Sequence, residues 1–319
     1  MSPPETHSGA VAAIDIGSIS ARLLIVDGEG APLERRTEIV NLSRSLVTKG
    51  EIQPDRVEHL LAVMAGWGDL VRTHRVGSIR AVATETFRQA TNGESVLDEV
   101  ESILTIRPEI IGGTEEGTLS FAGATAELDP DDGPFLVIDL GGASTEFAVG
   151  TERCEGVVSI DVGARVLTER YISSDPPRPE ELLAVLSVVE AYVDDVVRDL
   201  PQITDVRRYI GLAGTVSTAA AVEIGLATYD RDRIHHFVLT REAAEDVYRT
   251  LVTEPLEDRL HNPGLVPMRA EAIVGGITEL VAIMRGLSID ELLVSEADLL
   301  DGVVARLVSD VTAPPPRLR

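Results

Sequence analysis

The sequence is 319 residues long, and 44% of its residues are hydrophobic. This length suits two domains, each large enough to bury a core, with a cleft between them. The net charge of −25 excludes a general nucleic-acid or anionic-membrane surface, because such partners need a basic footprint. No apolar run approaches the roughly 20 residues that cross a bilayer. Cys154 is the only cysteine, which excludes an internal disulfide and any site built from several thiolates.

The start of the chain, residues 1–10, is polar and lacks the basic and apolar segments of a secretory signal. We therefore expect a cytoplasmic protein. Almost all positive charge is arginine, with Lys49 as the sole lysine. Charges are screened beyond about 8 Å at physiological ionic strength, so an acidic exterior can surround an arginine-lined cleft that binds an anion.

Strands and helices alternate along the first part of the chain, which indicates α/β architecture. Short apolar runs that meet Gly and Ser predict a β-hairpin at the start. The predicted elements are hairpin strands at residues 11–17 and 23–26, a helix at 54–74, strands at 78–83 and 108–111, and a helix from about 112 to 126. A charged segment rich in turn residues, Leu128–Pro134, predicts a domain boundary.

The segment Phe135–Gly150 repeats the opening hairpin. Asp15, Gly17 and Ser20 match Asp139, Gly141 and Ser144 at a constant spacing of 124 residues, which indicates an internal duplication. Beyond the repeat, the pattern predicts helices at 180–198, from 215, at 269–285 and at 297–307, and strands at 209–212 and 291–294.

The boundary segment divides the chain into predicted domains at residues 1–130 and 131–319. A C-terminal helix at about 298–310 is expected to pack back on the first domain. The tail Thr312–Arg319, with three consecutive prolines, is predicted to be disordered.

Each repeat ends a strand with an aspartate and turns on glycine and a hydroxyl residue. Backbone N–H groups in such a turn suit phosphate oxygens, and the carboxylate suits a hydrated Mg²⁺. A lone Asp-x-Gly is often only a turn, but two copies facing each other favour a phosphate clamp. A third element, Gly211–Ser217, opens a helix that can hold an anion or be an ordinary helix start. The candidate phosphate-binding residues in these elements are Gly17, Ser18, Gly141, Gly142, Ser144, Gly214 and Thr215.

At these three elements the chain resembles actin, Hsp70 and sugar kinases, whose duplicated ribonuclease H-like domains clamp a phosphorylated ligand. Further segments are similar, in order and spacing, to the exopolyphosphatase and guanosine-pentaphosphatase family. They are Ala81–Ala90, Gly112–Gly117, Asp139–Glu146, Tyr229–His235 and Arg269–Gly276. The resemblance spans about residues 11–305 and looks like a short form without the C-terminal helical domain of longer members. It implies an α/β fold of two duplicated ribonuclease H-like (actin-like ATPase) domains with an interdomain cleft.

The resemblance also implies Mg²⁺-dependent hydrolysis of a terminal phosphoanhydride. The leading expectation is an exopolyphosphatase acting on inorganic polyphosphate, and the alternative enzyme is a guanosine pentaphosphate (pppGpp) phosphohydrolase. The alternative from another class is a catalytically weak sensor that binds polyphosphate or an alarmone. An ATPase or sugar kinase is disfavoured, because Arg88 and Glu115-Glu116 match no motif of those enzymes. Neither a nucleic acid nor a membrane is expected as a partner, and a homodimer stays open.

Several site residues are carried over from the family motifs. The catalytic base falls on Glu116, the phosphate-binding arginine on Arg88, and the metal-associated acids on Asp139 and Glu146, with Asp15 matching the acid of the first loop. From the residues alone, Glu116 also suits a helix cap, Arg88 a solvated helix charge and Glu146 an exposed strand carboxylate.

Two loop positions depart from the family pattern. Ile19 stands where an Asn is common and cannot donate a hydrogen bond, and Ala143 replaces a glycine, which matters if that position needs a positive φ. Both departures favour the sensor, whereas Glu116 favours the enzyme. His235 and His236 are adjacent, and adjacent residues of a strand face opposite sides, so we expect a structural role for them and not a metal pair.

Overall fold

The structure, a computed structural model, describes residues 9–312. The strands are β1 Val11–Ile16, β2 Ser20–Val26, β3 Pro32–Ile39, β4 Ser78–Ala83, β5 Glu109–Ile110, β6 Phe135–Leu140, β7 Thr145–Gly150, β8 Cys154–Ile160, β9 Arg208–Leu212, β10 Val238–Thr240 and β11 Glu291–Val294. Residues 1–8 of the predicted signal-free start and residues 313–319 of the predicted disordered tail lie outside the described residues.

Helices connect and cover these strands. They are α1 Leu46–Lys49, α2 Pro54–Thr73, α3 Glu85–Gln89, α4 Gly93–Leu104, α5 Gly113–Thr125, α6 Ala164–Tyr171, α7 Pro179–Asp199, α8 Ala213–Ile224, α9 Arg231–Ile234, α10 Arg241–Thr253, α11 Leu256–Arg259, α12 Ile273–Gly286 and α13 Leu299–Thr312. No helix within residues 9–312 is long and apolar enough to cross a bilayer.

Two mixed sheets repeat one plan within the described residues. The first has the order β3-β2-β1-β4-β5, and the second has the order β10-β11-β9-β6-β7-β8. In each sheet a central strand, β1 or β6, pairs antiparallel with the next strand, which pairs antiparallel with the one after it. On its other side the central strand pairs parallel with a later strand. This shared plan confirms the α/β fold of two duplicated domains that the repeated hairpin predicted.

Burial explains which strands were predictable. Every residue of β1, β6 and β7 is buried, and continuous apolar runs are the signature of strands covered on both faces. The edge strand β3, with the sequence PLERRTEI, is mostly exposed and charged, so its pattern escaped prediction. The helix predicted from residue 269 begins only at Ile273, because Pro267–Arg269 form a 3₁₀ turn before it.

Helices α5 and α13 form a layer between the two sheets. Helix α13 packs on β1 and β2, and α5 packs on β6, β7 and β8, while the two helices also contact each other. Leu119 of α5 joins Leu300 and Val303 of α13 in one apolar cluster, and Phe121 of α5 joins Phe135 in another. Helix α5 therefore covers the second sheet, although it precedes the predicted boundary segment in the chain.

Candidate active site

The first loop joins β1 to β2 and carries a paired carboxylate. Asp15 lies directly opposite Arg22 in the strand register and is buried. The Asp15 Oδ2 atom accepts hydrogen bonds from Arg22 Nε at 3.0 Å and from Nη2 at 2.6 Å. Arg22 also forms an ion pair with Asp298, just before α13. Burial raises the pKa of Asp15, and the charge of Arg22 opposes that rise.

The second loop joins β6 to β7 and has a different electrostatic arrangement. Asp139 lies opposite Glu146, so two buried carboxylates are neighbours across the strand pair. Asp139 Oδ2 accepts a hydrogen bond from Ser120 Oγ at 2.6 Å, and Glu146 Oε1 accepts one from Ser159 Oγ at 2.8 Å. Burial and the charge of Asp139 raise the pKa of Glu146 to about 8, although hydroxyl hydrogen bonds oppose this.

Glu116 lies in the first turn of α5, where the sequence predicted a helix start. Its Oε2 atom is buried and has no hydrogen-bond partner. Burial, followed by the charges of Glu146, Asp139 and Asp15, raises the pKa of Glu116 well above its usual value. The preceding Glu115 instead forms an ion pair with Arg80 at 2.7 Å. A buried, unpaired carboxylate beside other acids is an arrangement found at catalytic sites more often than at helix caps.

The third glycine element starts helix α8. Ala213, the first helical residue, has a left-handed φ of 67°, a strained conformation for a residue with a side chain. Gly214 follows, and a Cβ atom there would lie 1.5 Å from Nη1 of Arg269. No side chain caps this helix start, so its first-turn N–H groups are free to bind an anion. Only glycine at position 214 lets Arg269 reach this helix start.

A polar cluster centred on Glu296 also lines the cleft. Glu296 Oε1 accepts a hydrogen bond from Ser217 Oγ at 2.5 Å, and Oε2 accepts one from the Tyr229 hydroxyl. Arg231 Nη2 donates to the backbone oxygen of Glu296 at 3.3 Å. Arg269 is half-buried, and its Nε atom is buried without a hydrogen-bond partner. The cluster therefore brings two cationic side chains to the cleft beside a carboxylate that is already hydrogen-bonded.

The three elements line one cleft with a volume of about 580 Å³. Ten of the twelve predicted site residues line it. They are Asp15, Gly17, Ser18, Glu116, Asp139, Gly141, Gly142, Ser144, Gly214 and Thr215. The lining also contains four arginines that the sequence did not single out as site residues, namely Arg22, Arg35, Arg231 and Arg269. The cleft is thus lined by arginine in a protein of net charge −25, as the composition allowed.

The other two predicted residues, Arg88 and Glu146, lie outside the cleft lining. Arg88 donates to the backbone oxygen of Ile111 and pairs with Glu85, so its guanidinium is already engaged within the protein. Glu146 is buried and lies opposite Asp139 in the strand pair. Their predicted roles, phosphate binding and metal association, stay predictions.

The carboxylates of the cleft fit a divalent cation. Asp15 and Asp139 each come to the cleft wall at the end of a central strand. The Asp15 Oδ1 and Glu116 Oε2 atoms are both buried without a hydrogen-bond partner. Unpaired buried carboxylate oxygens are costly, and a hard cation such as Mg²⁺ prefers oxygen ligands of this type.

The two departures from the family pattern have different structural consequences. Ala143 does not have a positive φ, so the second loop does not need the missing glycine there. Ile19 lines the cleft, and a Cβ atom added to Gly142 would lie 2.7 Å from its Cγ1 atom. Its side chain thus packs on the opposite loop and offers no hydrogen-bond donor to the cleft.

The reason for dismissing the histidine pair was wrong. His235 and His236 do not lie in a strand: His235 ends the short helix α9, and His236 has a left-handed φ of 61°. The two rings therefore stack, with their centroids 3.8 Å apart, and do not face opposite sides.

Comparisons with known proteins find relatives that match most of the chain. A model of the Ppx/GppA phosphatase family matches residues 24–310. Exopolyphosphatase 2 of Mycobacterium tuberculosis is 33% identical over 93% of this chain and 98% of that protein. A guanosine-5'-triphosphate,3'-diphosphate pyrophosphatase of Pseudoalteromonas atlantica is 26% identical over 97% of this chain and 60% of that protein. The crystal structure of an Aquifex aeolicus Ppx/GppA family member superposes with a TM-score of 0.80, at 30% identity, over 96% of this chain and 99% of that one.

Proposed function

The chain belongs to the Ppx/GppA phosphatase family, and we propose that it is an exopolyphosphatase that releases the terminal phosphate of inorganic polyphosphate. One observation carries the proposal. The unpaired carboxylate of Glu116 lies in the wall of a cleft between two duplicated phosphate loops, each with its own buried aspartate. The similarity to an exopolyphosphatase over nearly the full length of both chains supports this substrate.

The proposed reaction needs one water molecule and one base. The water oxygen forms a bond to the terminal phosphorus as the bridging P–O bond breaks, and its proton passes to Glu116. The leaving polyphosphate keeps the electrons of the broken bond. Glu116 must be ionised to accept the proton. Burial and the neighbouring acids raise its pKa, so its ionisation depends on nearby positive charge, and the charge of Arg88 already opposes the rise.

Asp15 and Asp139 are the residues that would hold Mg²⁺, with Glu146 opposite Asp139 in the strand pair. When bound, the ion would neutralise charge on the phosphate oxygens. The chain supplies the rest of the binding site. The backbone N–H groups of the two loops and of the start of α8 bind phosphate oxygens, and Arg22, Arg231 and Arg269 supply positive charge along the cleft.

A pppGpp phosphohydrolase is the second candidate, and one observation favours it. The cleft lining includes Tyr229, a residue that is more than half exposed. An exposed aromatic ring beside Arg231 is suited to stack on a nucleobase, which polyphosphate does not possess.

A phosphate-release assay separates the candidates. The protein is incubated with Mg²⁺ and, in parallel, with polyphosphates of several chain lengths, pppGpp and ATP. An exopolyphosphatase releases phosphate faster from polyphosphate than from pppGpp at equal concentrations of terminal phosphate. A faster reaction with pppGpp would reverse the assignment. Binding of polyphosphate without any release would favour the sensor.

A further inference from the structure

A buried hydrogen bond joins the two segments that support the phosphate loops. Asn41 follows β3 of the first sheet, and Arg165 lies in the first turn of α6, which follows β8 of the second sheet. The Nη2 atom of Arg165 donates to Oδ1 of Asn41 at 2.9 Å, and both residues are buried. The bond therefore crosses from one duplicated half of the molecule to the other.

Each partner in this bond is also held, through its backbone, to one of the loops. The backbone N–H of Asn41 donates to the oxygen of Ile19 at 2.8 Å, and that of Arg165 donates to the oxygen of Gly142 at 2.9 Å. Ile19 and Gly142 belong to opposite loops and are in contact with each other. A chain of hydrogen bonds thus runs from the first loop through Asn41 and Arg165 to the second loop.

Arg165 is poorly paired for a buried cation. Its Nη1 atom lies 3.4 Å from the carboxylate of the exposed Glu271, and its Nε atom is buried without a hydrogen-bond partner among the described residues. Burial lowers the pKa of Arg165, although the charges of Glu169 and Glu271 oppose this. Replacement of a buried ion pair by apolar residues is often neutral or stabilising. Stability alone therefore does not account for an arginine at this position.

Helix α6 makes a second contact with the same segment. The Oε1 atom of Glu169 accepts a hydrogen bond from the backbone N–H of Ser45 at 2.8 Å. This contact does not depend on the side chain of Arg165 or of Asn41, so variants at those two positions are expected to fold.

We propose that the hydrogen bond between Arg165 and Asn41 sets the spacing of the two phosphate loops, and that both are positioning residues for the phosphate held between them. Neither residue lines the cleft, so they act through the loop backbones and not by touching the substrate. The planar guanidinium and amide groups fix the direction of the contact as well as its length. A misplacement of about 1 Å can lower a rate by about 10²-fold. The effect on hydrolysis rests on the proposed function, whereas the effect on the loops does not.

The test uses two variants of the full chain and a matched control. Arg165→Met removes the guanidinium but keeps an unbranched side chain. Asn41→Gly removes the amide and tolerates the left-handed φ of 49° at this position. Arg44→Gln is the control, because Arg44 pairs with the same Glu271 at 3.3 Å but from an exposed position.

Hydrogen exchange followed by mass spectrometry, without substrate, measures the effect on the loops. We expect Arg165→Met to speed exchange in the first loop, residues 17–20, although the substitution lies in the second half. Asn41→Gly should likewise speed exchange at residues 141–144, because opening of the contact frees both loops. Arg44→Gln should change neither segment. Faster exchange confined to the substituted half, or unchanged exchange in both loops, would overturn the proposal.

Steady-state hydrolysis of polyphosphate measures the positioning role. We expect kcat/KM to fall by about 10- to 100-fold in each single variant and no further in the double variant, since all three lack the same bond. Asn41→Asp keeps the acceptor oxygen and should retain most of the activity. A wild-type kcat/KM in Arg165→Met, or losses that multiply in the double variant, would overturn the positioning role. A protein that hydrolyses none of the substrates would contradict the proposed function, while hydrogen exchange would still decide whether the bond sets the loops.

Discussion

The two halves of the molecule share one hairpin but differ in charge at one equivalent position. Arg22 of the first half and Glu146 of the second are 124 residues apart, as are Asp15 and Asp139. In each hairpin this residue lies directly opposite the loop aspartate. The first aspartate therefore faces a cation, and the second faces another acid.

This difference gives the two halves of the duplicated site opposite local charge. The pKa of Arg22 is raised because Asp298, Asp15 and Asp139 together outweigh the cost of its burial, so the first loop supplies its own positive charge. The second loop concentrates buried negative charge, and burial together with Asp139 holds the pKa of Glu146 near 8. The second half thus needs an external cation more than the first half does.

Removal of divalent ions should have the largest effect. We expect EDTA to abolish phosphate release and excess Mg²⁺ to restore it, because Asp15, Asp139 and the polyanionic substrate cannot be neutralised by the arginines alone. Phosphate release is followed with and without chelator at constant ionic strength. Undiminished turnover in EDTA would show that arginine side chains are enough to neutralise the charge of the substrate and the aspartates in both halves.

Glu116→Gln should have the next largest effect. Glutamine keeps the size of the side chain but cannot accept a proton from water, so turnover should fall by about 10²- to 10⁴-fold while substrate binding persists. Glu115→Gln is the matched control, because Glu115 lies in the same turn but pairs with Arg80. If Glu116→Gln keeps more than about a tenth of wild-type turnover, the loss expected for a base is absent and the assignment fails.

Substitutions at the equivalent positions 22 and 146 should have opposite effects on stability. Arg22→Gln leaves Asp15 and Asp298 without their cation, and breaking a buried ion pair costs about 3 kcal/mol or more of unfolding free energy. Glu146→Gln removes a carboxyl group that is buried beside Asp139, so in EDTA it should stabilise the protein. Thermal unfolding of both variants at pH 8 checks the signs. Destabilisation of both proteins to the same extent would contradict the comparison.

The pH dependence sharpens this test. Folding raises the pKa of Glu146 from its ordinary value of 4.5 to about 8. Between these two pH values the unfolded chain therefore loses a proton that the folded chain keeps. Wild-type stability in EDTA should therefore fall as pH rises from 4.5 to 8. Glu146 contributes up to about 1.4 kcal/mol per pH unit to this slope, and Glu146→Gln should lack that contribution. The variant keeps the contribution of Glu279, whose pKa is also raised to about 8, so its slope should be shallower and not zero. Mg²⁺ should raise the melting temperature of the wild type more than that of the variant.

The features that could be predicted from the sequence are those that depend on residues close together in the chain. The hairpins, loops and Glu116 were readable because they depend on short apolar runs and on neighbouring residues. The ion pair between Arg22 and Asp298 joins residues that are far apart in the chain, so no local sequence pattern predicts it. The constant repeat spacing could have directed attention to Arg22, since it matches Glu146.

Other features were missed for reasons of geometry. Arg269 was read as part of a helix, but it lies in a 3₁₀ turn and reaches the start of α8 only because position 214 is glycine. The histidine pair was misread because a strand was assumed where the backbone turns. Backbone angles of this kind depend on tertiary packing, which residue types alone do not encode.

The smallest expected effect concerns Ile19 and Ala143, which occupy equivalent positions in the two loops. Ile19→Asn should add a donor to phosphate worth about 1 kcal/mol, a few-fold in substrate affinity. The loop should keep its place, because the backbone oxygen of Ile19 accepts hydrogen bonds from the N–H groups of Val40 and Asn41 independently of the side chain.

Ala143→Gly is the matched change in the second loop. Since Ala143 does not need a positive φ, glycine there should leave affinity unchanged. It should reduce stability modestly, through the loss of a buried methyl group and through greater backbone freedom in the unfolded chain. Calorimetric binding of a short polyphosphate and thermal unfolding are measured for both variants. Tighter polyphosphate binding in Ile19→Asn but not in Ala143→Gly would show that the first loop contacts phosphate and that the wild-type loop lacks a hydrogen-bond donor. Equal or weaker binding in a folded Ile19→Asn variant would mean that the first loop does not bind phosphate, because Ile19 packs on Gly142 there. The second loop would then bind the terminal phosphate without the first loop.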